Sequence, residues 1–383
     1  MTPAARLQAA IDVLSPVLSG APAERELTRW ARGARYAGSK DRAAVRDHVF
    51  DALRMLRSSA WLGGLDDRPV EKMDAHAVVS GLLRQQGQEP ETLFTGSGYA
   101  PPRPPPPGPP LEQAPEAVRL DVADWLLPRL CASLGDRTEP VCDALRHRAP
   151  VDLRVNLART TREEVVRQLA ADGHAAHAID VSPSALRLDG PARGLNRLPA
   201  YQDGLFELQD AGSQTLVDRL PLQDGMRVLD LCAGGGGKTL AMAAAAKLEI
   251  SAHDAIPERM RDLPARAARA GIEVDLVEDP SGPFDLVVCD VPCSGSGAWR
   301  RQPEAKWRLT PERLTELQSI QSDILRRASS LTRPGGTVAY MTCSLLRDEN
   351  DAVVERSGLS VVSRWSTDPL AGTDGFFIAL MHP

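Results

Sequence analysis

At 383 residues the chain is too long for one ordinary hydrophobic core and fits two or three domains. A formal net charge of −6 and a pI near 5.7 exclude a protein that grips nucleic acid with its whole surface, although a local basic groove stays compatible with them. Six cysteines without paired C-x-x-C spacing, no apolar run near the roughly 18 residues of a membrane span and no signal-type N-terminus lead us to expect a soluble cytoplasmic protein with no metal, no structural disulfides and no membrane contact.

From Ala4 to about Gly63, apolar residues recur at helical spacing, as in Leu7, Ile11, Leu14 and Leu18 and then Val45, Val49, Ala52 and Leu56. The run GSGYAPPRPPPPGPP (96–110) lacks backbone donors and fixes extended dihedrals, so it predicts an exposed loop interrupting the helices. Helical pattern resumes over Val118–Leu134 and Val141–Arg148, which gives a helical domain over 1–150. A strand from Val151, a helix opened by Thr160 or Thr161 and a stop at Gly173 predict a small α+β module over 151–204. Beyond it the apolar runs RVLDL, LEISAHD, EVDLVE, FDLVVCD and TVAYMT alternate with helical stretches, the pattern of an α/β, Rossmann-like doubly wound sheet over 205–383. Such sheets bind ligands beyond the carboxyl ends of their strands, which makes the residues following each run the functional candidates.

The first run leads into Asp230, Cys232, Ala233, Gly234, Gly235, Gly236, Gly237, Lys238 and Thr239. A phosphate loop of the Walker type needs glycine where Cys232 stands, and a dinucleotide fingerprint needs glycine where Thr239 stands. A glycine loop without phosphate machinery suits S-adenosyl-L-methionine, whose methionine end needs close backbone approach. Asp254, after the second run, is placed to accept both ribose hydroxyls, and Asp279, after the third, to meet the adenine amino group.

The fourth run ends in Cys289, Asp290 and Cys293, and the fifth in Cys343 and Ser344, so two thiols fall at strand ends. Carbon 5 of cytosine is a poor nucleophile until a thiolate adds to carbon 6, and loss of the carbon 5 proton then calls for a second polar group. Cys293 and Cys343 meet that demand with Asp290 against the base, while Cys131, Cys142 and Cys289 are expected as buried fillers.

DLCAGGGGKT (230–239), DVPCSGSG (290–297) and YMTCSL (340–345), in that order, resemble the RsmB/Sun/Nop-type RNA 5-methylcytosine methyltransferases. LQDAGSQ (208–214), RRQPEAKWR (300–308), Glu349-Asn350 and DGFFIAL (374–380) extend the resemblance over most of the chain from about Val151. It implies that Cys343 is the nucleophile, that Cys293 assists product release, and that Asp290 lies between base and cofactor. It also implies that Cys232 through Lys238 form the cofactor loop, with Lys238 at the catalytic centre, and that Asp254 and Asp279 hold ribose and adenine. The chain departs from the family in having Gly234-Gly235 for the usual alanine-proline, and in a short tail after Cys343. The N-terminal helices are similar to a NusB-type RNA-binding domain, which favours small-subunit ribosomal RNA over transfer RNA as substrate, with no obligate protein partner evident.

Arg300, Arg301, Lys306 and Arg308, interleaved with Trp299 and Trp307, are expected to clamp RNA phosphates and stack bases. Arg25, Arg29, Arg32, Arg35, Lys40 and Arg42 offer a second basic surface. Methylation of a protein or small molecule would not require two strand-end cysteines; a non-catalytic RNA-binding assembly factor would keep the fold without turnover.

Overall fold

The computed structural model describes residues 1–65 and 69–383. The chain forms two compact units, one of Met1–Arg148 with Trp299–Thr310, the other of Ala149–Ala298 with Pro311–Pro383.

The first unit is helical. The Thr2 hydroxyl accepts from the Ala5 amide at 3.2 Å and opens α1 (Pro3–Leu18), with Pro3 in the first turn, where its missing N–H is no loss. Leu7, Ala10, Ile11, Leu14 and Leu18 line the buried face of α1 and pack with residues of α2 (Ala23–Gly33), α3 (Ser39–Arg54), α4 (Leu56–Leu62) and α5 (Ala75–Gln85). A Cβ on Gly81 would lie 1.8 Å from the Ser59 carbonyl oxygen, so α4 and α5 meet backbone to backbone at a place only glycine allows. The proline-rich segment is neither helix nor strand, as its composition predicts, but it is anchored instead of hanging free. Its carbonyls serve as acceptors: Pro105 for Arg84 at 2.9 Å, Pro110 for the Trp61 indole at 3.4 Å, and Pro102 beside His76 Nε2 at 3.1 Å. Proline forfeits donors but keeps acceptors, which suits a strap over arginine and tryptophan side chains. Three further helices, α6 (Glu116–Arg119), α7 (Leu127–Leu134) and α8 (Thr138–Arg146), follow.

The second unit begins with the small module. Its strands β1 (Asp152–Val155), β2 (Ala176–Ala178), β3 (Ala185–Leu188) and β4 (Phe206–Leu208) form an antiparallel sheet in the order β2-β3-β1-β4. Helix α9 (Arg162–Ala171) is capped by Thr161, whose hydroxyl accepts from the Glu164 amide at 3.2 Å; its Val165 and Leu169 join Leu153, Leu186 and Phe206 in one core. A short α10 (Pro199–Gln202) precedes β4.

Helix α11 (Ala211–Asp218) leads to β5 (Arg227–Asp230), α12 (Gly237–Ala245), β6 (Glu249–Ala252), α13 (Leu263–Ala270), β7 (Asp275–Leu276) and β8 (Phe284–Asp290). After the segment Trp299–Thr310, with its helix α14 (Pro303–Arg308), come α15 (Pro311–Leu331), β9 (Thr332–Thr342), α16 (Asp351–Ser357), β10 (Ser360–Thr367) and β11 (Phe376–His382). The large sheet runs β10-β11-β9-β8-β5-β6-β7, parallel from β9 to β7 and antiparallel at β10 and β11. All five apolar runs contribute strands of the parallel part, though only two residues of the third are in strand. The chain winds outward from β5 to β7 and then resumes at β8 on the other side of β5, so the topological switch lies between β5 and β8.

The basic run after the fourth strand belongs to the helical unit. Trp299 is 1% exposed, and the Trp307 indole donates to the Leu53 carbonyl at 2.7 Å. The Arg54 guanidinium donates to the Arg300 carbonyl at 2.8 Å, and Arg308 donates to the Ala21 carbonyl at 2.7 Å. Lys306 is 3% exposed and donates to the Arg54 carbonyl at 3.2 Å. Burial pulls this ammonium down to about 8, against the opposing pull of Asp121. Asp121 is fully buried: its carboxylate accepts from the Ser58 amide at 2.9 Å and hydroxyl at 2.7 Å, and pairs with Arg146 at 2.9 Å. Deleting one member of a buried charge cluster leaves the others uncompensated. Asp121→Ala should therefore lower the stability of the helical unit by about 3 kcal/mol in urea unfolding followed by circular dichroism, and Asp121→Asn by less, because the amide keeps an acceptor for Ser58.

Candidate active site

Between the β5 and β8 ends lies a cavity of about 610 Å³, within the size range of small-molecule sites. Its lining includes Gln209, Asp230, the loop Cys232–Gly235, Gly237, Lys238, Asp254 and Asp290. The loop is shaped by left-handed glycines, Gly234 at φ 51° and Gly236 at φ 79°. A Cβ on Gly236 would meet Leu263 at 2.2 Å, so the chain passes tight against α13. The Asp254 carboxylate accepts from the amides of Gly234 and Ile256, each at 2.9 Å, which fixes it at the cavity wall with lone pairs remaining for a ligand. Asp230 accepts from the Thr239 hydroxyl at 2.7 Å through one oxygen, while the other is buried without a hydrogen-bond partner. Burial pushes this carboxyl up to about 6. Burial and the nearby Asp230 hold the Cys232 thiol well above its ordinary range, so it stays neutral.

Lys238 reaches from the first turn of α12 to Asp290 at the end of β8, Nζ to Oδ2 2.6 Å. Burial would push its proton off, but the Asp290 carboxylate, followed by Cys343 and Asp230, outweighs burial and keeps the ammonium charged. The two thiols that the sequence singles out are brought together, Cys293 Sγ lying 3.4 Å from Cys343 Sγ. The Cys293 thiol is held well above its ordinary value, first by its hydrogen bond to Cys343 and then by burial. Cys142 and Cys289 are buried, as expected of fillers, whereas Cys131, in the short helix α7, is exposed.

Two sets of expected ligands lie elsewhere. Asp279 is not among the residues lining the cavity; its side chain is 95% exposed and pairs with Arg327 at 3.2 Å, and it is Arg327 that lines the cavity. Arg300 and Lys306 are buried in the helical unit, with Trp307 and Arg308 bonded to its backbone, because the segment that carries them fills a gap there. Arg301 in the same segment is half-buried. The expected phosphate clamp is thus a packing element in its buried members. By contrast Arg25, Arg29, Arg32, Arg35, Lys40 and Arg42 are all exposed along α2 and the start of α3.

Glu349, for which residue type and spacing predict no role, organises the centre. Completely buried, it accepts from the Ser294 amide at 2.8 Å, from the Ser294 and Ser344 hydroxyls at 2.5 Å each, and from Gln321 at 3.1 Å. Ser294 and Ser344 directly follow the two cysteines, so one carboxylate ties both cysteine loops together. Asn350 braces the Cys343 loop on both sides of the thiol, accepting from the Thr342 hydroxyl at 2.6 Å and donating to the Ser344 carbonyl at 2.8 Å. The signal available in the sequence was the repeated Cys-Ser pair with a carboxylate close behind the second.

A doubly wound sheet with a glycine loop built for a ligand without phosphate, an acidic residue after the second strand and a charged pair beside two thiols defines a methyltransferase that uses S-adenosyl-L-methionine. Residues 217–373 match the family described as 16S rRNA methyltransferase RsmB/F, and residues 122–193 the ferredoxin-like domain of RsmF/B-like methyltransferases. Ribosomal RNA small subunit methyltransferase B of Cronobacter sakazakii is 32% identical over 315 residues, covering 79% of this chain and 68% of that protein. The crystal structure of PH0851 superposes with a TM-score of 0.79 at 23% identity over 100% of this chain and 99% of that one. That of NSun6 from Pyrococcus horikoshii with SFG gives 0.62 at 18% identity over 68% and 98%. The chain belongs to the RsmB/F family of methyltransferases. The cavity fits S-adenosyl-L-methionine: the unpartnered buried oxygen of Asp230 suits its ammonium group, and the lone pairs left on Asp254 suit its ribose hydroxyls.

An amide in place of the Glu349 carboxylate would turn an N–H toward donors that now have an acceptor. Glu349→Gln should reduce kcat roughly 10- to 100-fold by loosening the cysteine loops, with the dissociation constant for S-adenosyl-L-methionine in calorimetry changed by less than about twofold.

Proposed function

We propose that this protein methylates carbon 5 of a cytosine in RNA, small-subunit ribosomal RNA above all, through a covalent bond between Cys343 and the base. The observation that carries this reading is the pair of thiols at 3.4 Å beside the Lys238–Asp290 ion pair, at the ends of β8 and β9. Asp290 has one oxygen on Lys238 and offers the other to the base. Cys343 is among the groups whose field keeps the Lys238 ammonium charged, which places its sulfur within reach of that cation.

The Cys343 thiolate adds to carbon 6; the carbon 5–carbon 6 π pair shifts to carbon 5 and into the ring, making carbon 5 nucleophilic. S-adenosyl-L-methionine, held by Asp230, the 232–237 loop and Asp254, supplies an electrophilic methyl group on a sulfonium sulfur. For release, carbon 5 loses its proton, the carbon 5–carbon 6 double bond re-forms and the Cys343 sulfur leaves as thiolate.

Cys293 is suited to that proton transfer. What holds its thiol protonated is first Cys343 and then burial. Once Cys343 is bonded to carbon 6 its sulfur carries no charge, so Cys293 ionises more readily at the stage when a base is needed. Its proton passes to solvent, and the resulting thiolate takes the proton from carbon 5.

RNA as substrate is supported by the exposed basic side chains along α2 and α3, beside Tyr36 at 74% exposure, in a helical unit that we assign an RNA-binding role of the NusB type. Small-subunit ribosomal RNA is favoured by the names of the relatives, and this substrate places the protein in the cytoplasm. The described residues contain no helix long and apolar enough to cross a membrane.

The test is incubation of wild type, Cys343→Ala and Cys293→Ala with radiolabelled S-adenosyl-L-methionine and either ribosomal or transfer RNA, followed by nucleoside digestion and denaturing gels. We expect label in 5-methylcytidine of ribosomal RNA, its loss by more than about 1000-fold in Cys343→Ala, and a persistent protein–RNA adduct in Cys293→Ala. Label in transfer RNA alone would move the substrate, and cofactor binding without labelled RNA would leave a binding factor in place of an enzyme.

A further inference from the structure

The glycine loop of the cofactor site has little rigidity of its own, and its carbonyls are gripped by side chains from outside it. Arg154, on β1 of the small module, donates from Nη1 to the Gly237 carbonyl at 2.5 Å and to Gln209 Oε1 at 2.8 Å. Arg266, on α13, donates to the Gly235 carbonyl with one nitrogen and to Glu207 with the other at 2.9 Å. Glu207, on β4, also receives Arg269, whose guanidinium lies 4.1 Å from the Tyr201 ring centre. Three of these side chains are deeply placed: Arg154 and Glu207 are each 6% exposed, and Arg269 is 16% exposed at its side chain. Burial draws the Arg154 guanidinium down to about 10, with Glu207 acting against burial, so the cation is kept in a costly position beside the loop.

We propose that Arg154 and Arg266, with Glu207 orienting Arg266, are positioning residues for S-adenosyl-L-methionine: by holding the Gly237 and Gly235 carbonyls they set the loop in its binding shape. Two clamps stand on either side of Gly236 in sequence, whose own place is fixed by Leu263. Gly234 is held by its amide on Asp254. Each of the four glycines is therefore held by a contact from outside the loop, which reduces the conformational entropy that consecutive glycines would otherwise lose on binding. Glu207 and Arg154 belong to the module that precedes the catalytic sheet, so that module takes part in cofactor binding.

Arg266→Ala, Arg266→Lys and Glu207→Gln are compared with wild type by calorimetric titration of S-adenosyl-L-methionine, by steady-state methyl transfer and by thermal unfolding. For Arg266→Ala we expect the dissociation constant and KM for the cofactor to rise at least about fivefold, with kcat at saturating cofactor within about twofold of wild type. Glu207→Gln should shift the same two constants in the same direction by a smaller factor, and Arg266→Lys should recover part of the loss. A lowered melting temperature with cofactor affinity unchanged in both Arg266→Ala and Glu207→Gln would overturn the proposal, as would a fall in kcat with an unchanged dissociation constant. The calorimetric readout needs no RNA, so its outcome is separate from that of the cytosine assignment.

Discussion

Parallel strands joined by helices must cross over one face of the sheet, and reversing the winding direction leaves two neighbouring strands whose following loops turn apart. Here those strands are β5 and β8. The gap between their ends holds the cavity, lined by the glycine loop after β5, Asp254 after β6 and Asp290 after β8, while the paired thiols Cys293 and Cys343 follow β8 and β9 at the same ends of the sheet. No other part of the sheet leaves loops splayed in this way. That strand ends far apart in sequence meet on one side of the sheet is a consequence of the strand order.

Within that frame the centre is polar and largely buried, so each charge has a defined partner. Lys238 answers Asp290, and Glu349 takes four hydrogen bonds. The two cysteines face each other across a contact that raises the Cys293 thiol. The hydrogen bonds of Glu349 and those of Arg154, Glu207 and Arg266 share no residue. The cysteine loops and the glycine loop are thus held by separate hydrogen-bond networks, both within the second unit.

The helical unit shows the opposite use of charge. Lys306 and Asp121 are buried, with the half-buried Arg146 on Asp121, where apolar groups would serve packing as well. Such a cluster is a register device: Asp121 meets Ser58 and Arg146 in one alignment only, and the segment after the DVPC motif is held by Trp307, Arg308 and Lys306 on specific backbone carbonyls. This is why a run that reads as an RNA clamp in the sequence is spent largely on structure.

Strand runs, the α9 cap, the glycine loop and the two strand-end cysteines were legible in the sequence, since each follows from local pattern: period, capping chemistry, and residue type beside a turn. The sequence by itself determined the fold class, the glycine loop after the first strand and the two strand-end thiols, because residues close in the chain report local geometry. Tertiary structure alone decided that Asp279 lies outside the cavity on Arg327, that Arg300 and Lys306 are buried, and that the proline-rich segment is strapped to α4 and α5. It also decided that Glu349 joins the cysteine loops and that Arg154 reaches Gly237 across 83 positions. Charge and burial at these places depend on neighbours tens to hundreds of residues away. A linear pattern contains no record of which distant surface an arginine or a carboxylate will meet.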